Sequence, residues 1–242
     1  MPEPWSMEGQ VAIVTGGAGT VGRGVCRALT AAGAATASLD LDVDVDVDGA
    51  AGAALAVRCD VTDAAACVAA VDRVVAELGP VTTLVNLAQF VVVDTPALQV
   101  TAEDMHRSLA SGPTATLRMM QLCHPHMAAA GGGTIVNAGS NSGTTGTSGR
   151  AAYAAAKEAI RGITKVAAAE WGVDNIRVNA ICPFTPPDPD QDWVRAKAAA
   201  TPLRRAGDPE ADVGSLVVYL ATAGTFITGR TLFVDGGFGG WH

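Results

Sequence analysis

Tyr153 and Lys157 stand four positions apart, so on a helix they share one face, a turn from each other. A fixed ammonium beside a phenol stabilises the phenolate and draws it down from its ordinary pKa of about 10. That is the condition under which a tyrosine exchanges protons as a general acid and base. Ser140 lies thirteen residues upstream, just past the β-branched run 134–138, where its hydroxyl can hydrogen-bond the same substrate oxygen. Tyr-x-x-x-Lys alone occurs by chance in many helices. Its specificity here comes from Ser140 and from a second motif near the amino end.

There, Val11-Ala-Ile-Val-Thr15 runs straight into Gly16-Gly-Ala-Gly-Thr-Val-Gly22 and an alanine-rich segment. Gly17-x-Gly19-x-x-Gly22 matches the dinucleotide fingerprint, in which small residues admit a pyrophosphate to the free N–H groups of a helix N-terminus. The blander reading is a tight turn between two packed elements. Asp40 follows 18 residues after Gly22. A carboxylate there accepts the hydroxyls of an adenosine ribose and repels a 2′-phosphate, which favours NAD over NADP. Its neighbours Ser38, Leu39 and Leu41 supply no cation for that phosphate. Asp44-x-Asp46-x-Asp48-Gly49 begins like a calcium loop, but its twelfth position is Leu55 where a glutamate is needed. A solvated acidic loop is the better reading, and no metal site is expected.

Positioning these residues requires short strands alternating with helices. Runs 11–15, 35–39, 55–59, 83–86, 134–138, 176–181 and 231–234 read as strands, and 22–32, 63–78, 101–127, 153–171 and 209–223 as helices. Such alternation predicts βαβ units and a parallel sheet covered on both faces, an α/β fold. No stretch reads as a linker, so residues 1–242 are expected to form a single domain. The irregular stretches 139–149 and 183–192 both follow strands, at the carboxyl edge where open α/β sheets bind ligands.

Composition narrows the class. Of 242 residues 49% are hydrophobic but only 5% aromatic, because 46 are alanine and 28 glycine, which suits close packing of helices on a sheet. No run approaches the ~18 apolar residues of a membrane span. A net charge of −8 with three lysines offers no basic face, so nucleic acid is not an expected partner. Five widely spaced cysteines without Cys-x-x-Cys fit reduced, buried thiols and a cytoplasmic protein. Residues 1–10 carry Glu3, Glu8 and two prolines, so no secretory leader is expected.

Taken together, the chain resembles a classical short-chain dehydrogenase/reductase from about residue 8 to 238. The resemblance rests on Thr15-Gly16 to Gly22, Cys59-Asp60-Val61-Thr62, Asn86, Ser140, Tyr153 and Lys157, Ile176-Arg-Val-Asn179, and Thr228-Gly229 with Val234-Asp235-Gly236-Gly237. It implies a Rossmann-type, three-layer αβα domain on a seven-stranded parallel sheet, usually a homotetramer or homodimer. The glycine turn would be 15–22, the catalytic segment 138–157 and the substrate lid 183–202. It further implies hydride transfer between a nicotinamide and a small-molecule alcohol or carbonyl. In that scheme Tyr153 is the acid/base, Ser140 orients the substrate, and Lys157 lowers the tyrosine pKa and holds the nicotinamide ribose. Cofactor contacts would come from Gly16, Gly19, Thr20, Val21, Gly22, Asp40, Asp60, Val61, Asn86, Ala88, Tyr153, Lys157, Pro183 and Thr185.

Departures from the family pattern cluster at one end. The middle glycine of the turn is Thr20, with Gly19 one place early. The usual N-N-A-G reads Asn86-Leu-Ala-Gln89, putting a side chain where the backbone normally passes close to the cofactor. The family's active-site asparagine aligns with Gly112, followed by Pro113, which removes a donor and should kink its helix. The segment usually reading P-G-x-V/I-x-T is Pro183-Phe184-Thr185-Pro186-Pro187-Asp188, and a proline has no N–H to offer a carboxamide.

The expected function is therefore an NAD(H)-dependent interconversion of a secondary alcohol and a ketone. The open alternatives are non-redox chemistry on the same fold, such as dehydration or cyclisation, and ligand binding without turnover. The proline-rich, acidic lid suggests a small or neutral substrate more than a polyanionic one. His124, His126, Cys182, Arg118 and Arg161 read as ordinary structural or solvated residues.

Overall fold

A computed structural model describes residues 5–42, 52–186 and 191–239. The aspartate run 44–48 and Asp188 fall outside the described residues. Strands β1 (Val11–Thr15), β2 (Ala35–Asp40), β3 (Leu55–Arg58), β4 (Thr83–Asn86), β5 (Gly133–Ala138), β6 (Ile176–Pro183) and β7 (Thr231–Val234) form one sheet. Their order is β3-β2-β1-β4-β5-β6-β7, and every pairing is parallel. Each residue of β1 and of β4 is buried, as strands covered on both faces must be. The order reverses between β1 and β4, which opens a crevice beyond their carboxyl ends.

The helices divide into two layers. On one face α2 (Ala64–Leu78), α4 (Ala115–Ala129) and α6 (Ala151–Trp171) close a core around Ile13, Leu84, Ile135 and Val178. On the other, α1 (Thr20–Ala31) and α8 (Ser215–Ala221) pack Val25, Leu29, Val217 and Leu220 against Val14, Val85 and Ile181. Fully burying one such aliphatic side chain stabilises the fold by roughly 1.5–3 kcal/mol. Local signals start the helices. Asp63 accepts from the N–H groups of Ala65 and Ala66 at the head of α2, and Thr101 forms a capping box with Asp104 at the head of α3 (Ala102–Leu109).

Two expectations need correction. Segment 101–127 is not one kinked helix: α3 ends in a π turn, Ala110–Thr114, containing Pro113, and α4 begins after it. Lacking an N–H, Pro113 cannot continue the α ladder, and the wider turn absorbs the break. A second π turn, Pro209–Gly214, precedes α8 where 209–223 reads as one helix. Two helices also arise within the loops, α5 (Asn141–Thr145) after β5 and α7 (Asp192–Ala200) inside the lid.

Candidate functional site

Strand β5 delivers Ser140 to the sheet edge, and α6 brings Tyr153 and Lys157 back over it. Ser140 is buried and caps α5, its Oγ accepting from Ser142 N at 3.1 Å. Lys157 is 4% exposed; Nζ donates to Ala138 O at 2.8 Å and lies 5.5 Å from the centroid of the Tyr153 ring. All three converge on the end of β5.

The electrostatics differ from the simple picture of a lysine drawing its tyrosine down. Burial raises the Tyr153 pKa, and the opposing influences are a hydrogen bond from Ser140 and the charge of Arg150, whose Cζ is 5.9 Å from the ring centroid. Lys157 itself is pushed down to about 8 by burial. Desolvation penalises phenolate and ammonium alike, so neither charge is ready-made to steady the other.

At the nucleotide end the backbone is packed for close approach. A Cβ on Gly16 would stand 2.8 Å from Ala88 N, one on Gly17 2.2 Å from Ser38 Oγ, and one on Gly22 2.1 Å from Gly16 O. Gly16 also has φ +70°, which glycine adopts without strain. Gly19 is the N-cap of α1 and offers no side-chain acceptor, so Thr20, Val21 and Gly22 begin the helix with free N–H groups. A phosphate fits this cradle. Asp40 sits at its rim: Oδ2 accepts from Ala18 N at 3.0 Å and Oδ1 from Leu41 N at 2.7 Å.

The remaining expected contacts divide by role. Asp60 folds back on Thr62, accepting from its N–H and hydroxyl, while Val61 is buried in the core. Asn86 faces inward: Nδ2 donates to Asn137 Oδ1 at 2.9 Å, and Asn137 passes the chain on to Thr164 Oγ1 at 3.0 Å. This buried relay ties β4, β5 and α6 together. Ala88 is fixed by the Thr15 hydroxyl, which accepts from the N–H groups of Leu87 and Ala88. Pro183 closes β6, paired with Val234, and Thr185 lies just beyond, half-buried. Between them Phe184 is buried and stacks on Phe238 at 5.4 Å.

Some participants were not legible locally. Arg58 is the register partner of Asp40 across β2 and β3, so a basic residue does stand next to Asp40 in the sheet. Only strand pairing reveals it. Arg118 reads as solvated, yet its guanidinium donates to Val61 O at 2.8 Å and Thr62 O at 3.3 Å, pinning the Asp60 loop from α4. Arg161 is likewise engaged, with Glu158, Thr144 and Thr231. His124 pairs with Asp174 and meets the edge of Trp171. All five cysteines are buried.

Comparison with known proteins bears on this geometry. A family model described as enoyl-(acyl carrier protein) reductase matches residues 16–239. The chain is a short-chain dehydrogenase/reductase. It is similar to a D-threitol dehydrogenase of Mycolicibacterium smegmatis, 34% identical over 96% of this chain and 94% of that one. A 12alpha-hydroxysteroid dehydrogenase of Clostridium is 36% identical over 70% of this chain and 68% of its own length. A short-chain type dehydrogenase/reductase from Mycobacterium ulcerans superposes with a TM-score of 0.89 at 28% identity, covering 97% of this chain and 91% of that structure. As a member of this short-chain dehydrogenase/reductase family the protein is an oxidoreductase, and the family uses nicotinamide cofactors. No helix among the described residues is long and apolar enough to cross a membrane.

Proposed function

We propose that the protein interconverts a secondary alcohol and a ketone with NAD(H), using Tyr153 as acid/base, Ser140 to orient the substrate oxygen and Lys157 to hold the cofactor ribose. The observation that carries this reading is the convergence of Ser140, Tyr153 and buried Lys157 at the end of β5. It faces the crevice whose opposite wall is the glycine cradle. A bound nicotinamide would accept the hydride from the alcohol carbon or return it to the ketone. Tyr153 takes the hydroxyl proton as that hydride leaves, so the carbon loses both and becomes a carbonyl; reduction runs the same exchange backwards. Ser140 keeps the oxygen within reach. NAD over NADP rests on Asp40 at the ribose rim. Gly16, Gly19, Thr20, Val21, Gly22, Asp60, Val61, Ala88, Pro183 and Thr185 line the cofactor's path, with Asn86 supporting from beneath.

We assign the whole chain to one domain. We also assign it to the cytoplasm, on its buried, widely spaced cysteines, and to a homodimer or homotetramer, on the exposed small-residue face of α6 that includes Ala155, Gly162 and Val166.

The test is Tyr153→Phe, assayed on a broad alcohol and ketone panel with NADH binding followed in parallel. Turnover should fall by at least about a thousandfold while NADH affinity holds within about threefold. Retained turnover sinks the tyrosine assignment. A second reading, non-redox chemistry on the same residues, draws on Pro186, which has no N–H for a carboxamide. Tight NADH binding with no turnover on any panel member would favour it.

A further inference from the structure

Two cations come from distant parts of the chain, one at Tyr153 and the other on the lid helix. Arg150 immediately precedes α6, and its guanidinium lies over the Tyr153 ring. The other is Lys197, on the lid helix α7. Its Nζ sits 4.9 Å from the Phe184 centroid and 4.2 Å from that of Phe238, above a stacked aromatic pair. Each cation is partly removed from water. Lys197 is held below the usual lysine range first by burial and then by the charge of Arg150. Among the described residues neither forms an ion pair. Among the described residues these two mutually repelling cations are thus left unmatched, which is costly. An anion lodged between them removes that cost.

We propose that Arg150 and Lys197 form the anion-recognition end of the substrate site, so that the preferred substrate is an alcohol or ketone carrying one carboxylate or phosphate, with its carbon chain against Phe184 and Phe238. This rests on the alcohol–ketone reading above and names its substrate class. It replaces the small neutral substrate suggested by the lid's composition. The aromatic pair does double duty: its faces attract the ammonium, and its apolar surface keeps water from screening the pair formed with the ligand.

The test uses levulinate and its longer methyl-ketone homologues, each beside its methyl ester, with dihydroxyacetone phosphate as the phosphate arm. The better of the two acid classes should exceed neutral ketones in kcat/KM by about thirtyfold, and whether the carboxylates or the phosphate lead identifies the anion. Lys197→Met and Arg150→Met should each lower the acid-to-ester ratio by at least about tenfold, and Lys197→Arg should restore most of it. Equal turnover of acids and esters, or a ratio unmoved in both methionine variants, overturns the proposal. If no ketone turns over at all, the alcohol–ketone reading has failed, and calorimetric titration of levulinate and of dihydroxyacetone phosphate into the NADH-saturated protein decides this one separately. Binding weakened in Lys197→Met upholds the anion site; no binding, or binding indifferent to Lys197, overturns it.

Discussion

The carboxamide of Gln89 lies in the space that any side chain at residue 112 would need. A Cβ built on Gly112 would stand 3.1 Å from Gln89 Nε2 and 3.2 Å from its Cδ, with Ala156 Cβ at 3.3 Å. Both amide atoms are buried, and neither has a hydrogen-bond partner within the described residues. Two departures from the family pattern, a glutamine where a glycine is usual and a glycine where an asparagine is usual, are thus one compensating exchange.

It follows that the two positions are coupled. Gly112→Asn alone should destabilise by about 1–3 kcal/mol through overpacking against Gln89 and Ala156. Adding Gln89→Gly should recover at least about 1 kcal/mol of that loss. Chemical denaturation of the four proteins in the cycle measures the coupling. Additive effects would refute the exchange.

If Asp40 sets cofactor choice as proposed, its register partner Arg58 should share in it. Asp40→Ser would remove the charge proposed to repel a 2′-phosphate and leave Arg58 in register beside it. The kcat/KM ratio of NADP to NAD should rise by about tenfold or more, and Arg58→Ala in that background should undo most of the gain. An Arg58→Ala change that leaves the ratio high would remove Arg58 from the ribose site.

Lys157 gives a pH signature. Its pKa is about 8 in the fold against 10.5 for an ordinary lysine, so below about 8 it is protonated in both states and the fold carries the cost of a buried ammonium. Between those values the unfolded chain holds more protons, and stability rises with pH from this group. The difference in unfolding free energy, wild type minus Lys157→Met, should therefore increase from pH 8 to 10.5 by roughly 2–3 kcal/mol. Parallel curves over that range would show that the ammonium is not desolvated.

The buried relay from Asn86 through Asn137 to Thr164 should matter to stability. Asn137→Ala strands the Asn86 amide within the core and takes from Thr164 Oγ1 the donor it accepts from, leaving only its own bond to Ile160 O, and should cost about 2–4 kcal/mol in thermal or denaturant unfolding. Thr164→Val removes one terminus only and should cost less. The reverse ranking would break the chain as drawn.

What could be read in advance depended on how local the signal is. Tyr153 and Lys157 are placed by one helix, and the glycine turn by one strand and the helix it enters, so spacing alone located them. The bounds of β1, β4 and β7 were legible for the same reason. Arg58 was hidden because its meaning is a register between strands separated by a segment rich in aspartate. Gln89 and Gly112 are 23 positions apart and become a pair only when α3 and its π turn lie against the loop after β4. The Lys157 pKa was hidden because spacing shows a neighbouring charge and is silent on desolvation, which dominates here.

The strand order also governs how the crevice comes into being. β1 lies between β2 and β4, and all its pairings are parallel, so no hairpin can nucleate this sheet. Thr15 and Asn86, register partners at the crevice floor, meet only after the intervening 70 residues have been folded back as a loop. Contacts of such sequence separation form late and slowly. A refolding chain that has built β1, α1 and β2 already owns the glycine turn but has no second wall, so nucleotide binding should lag behind the recovery of helical structure.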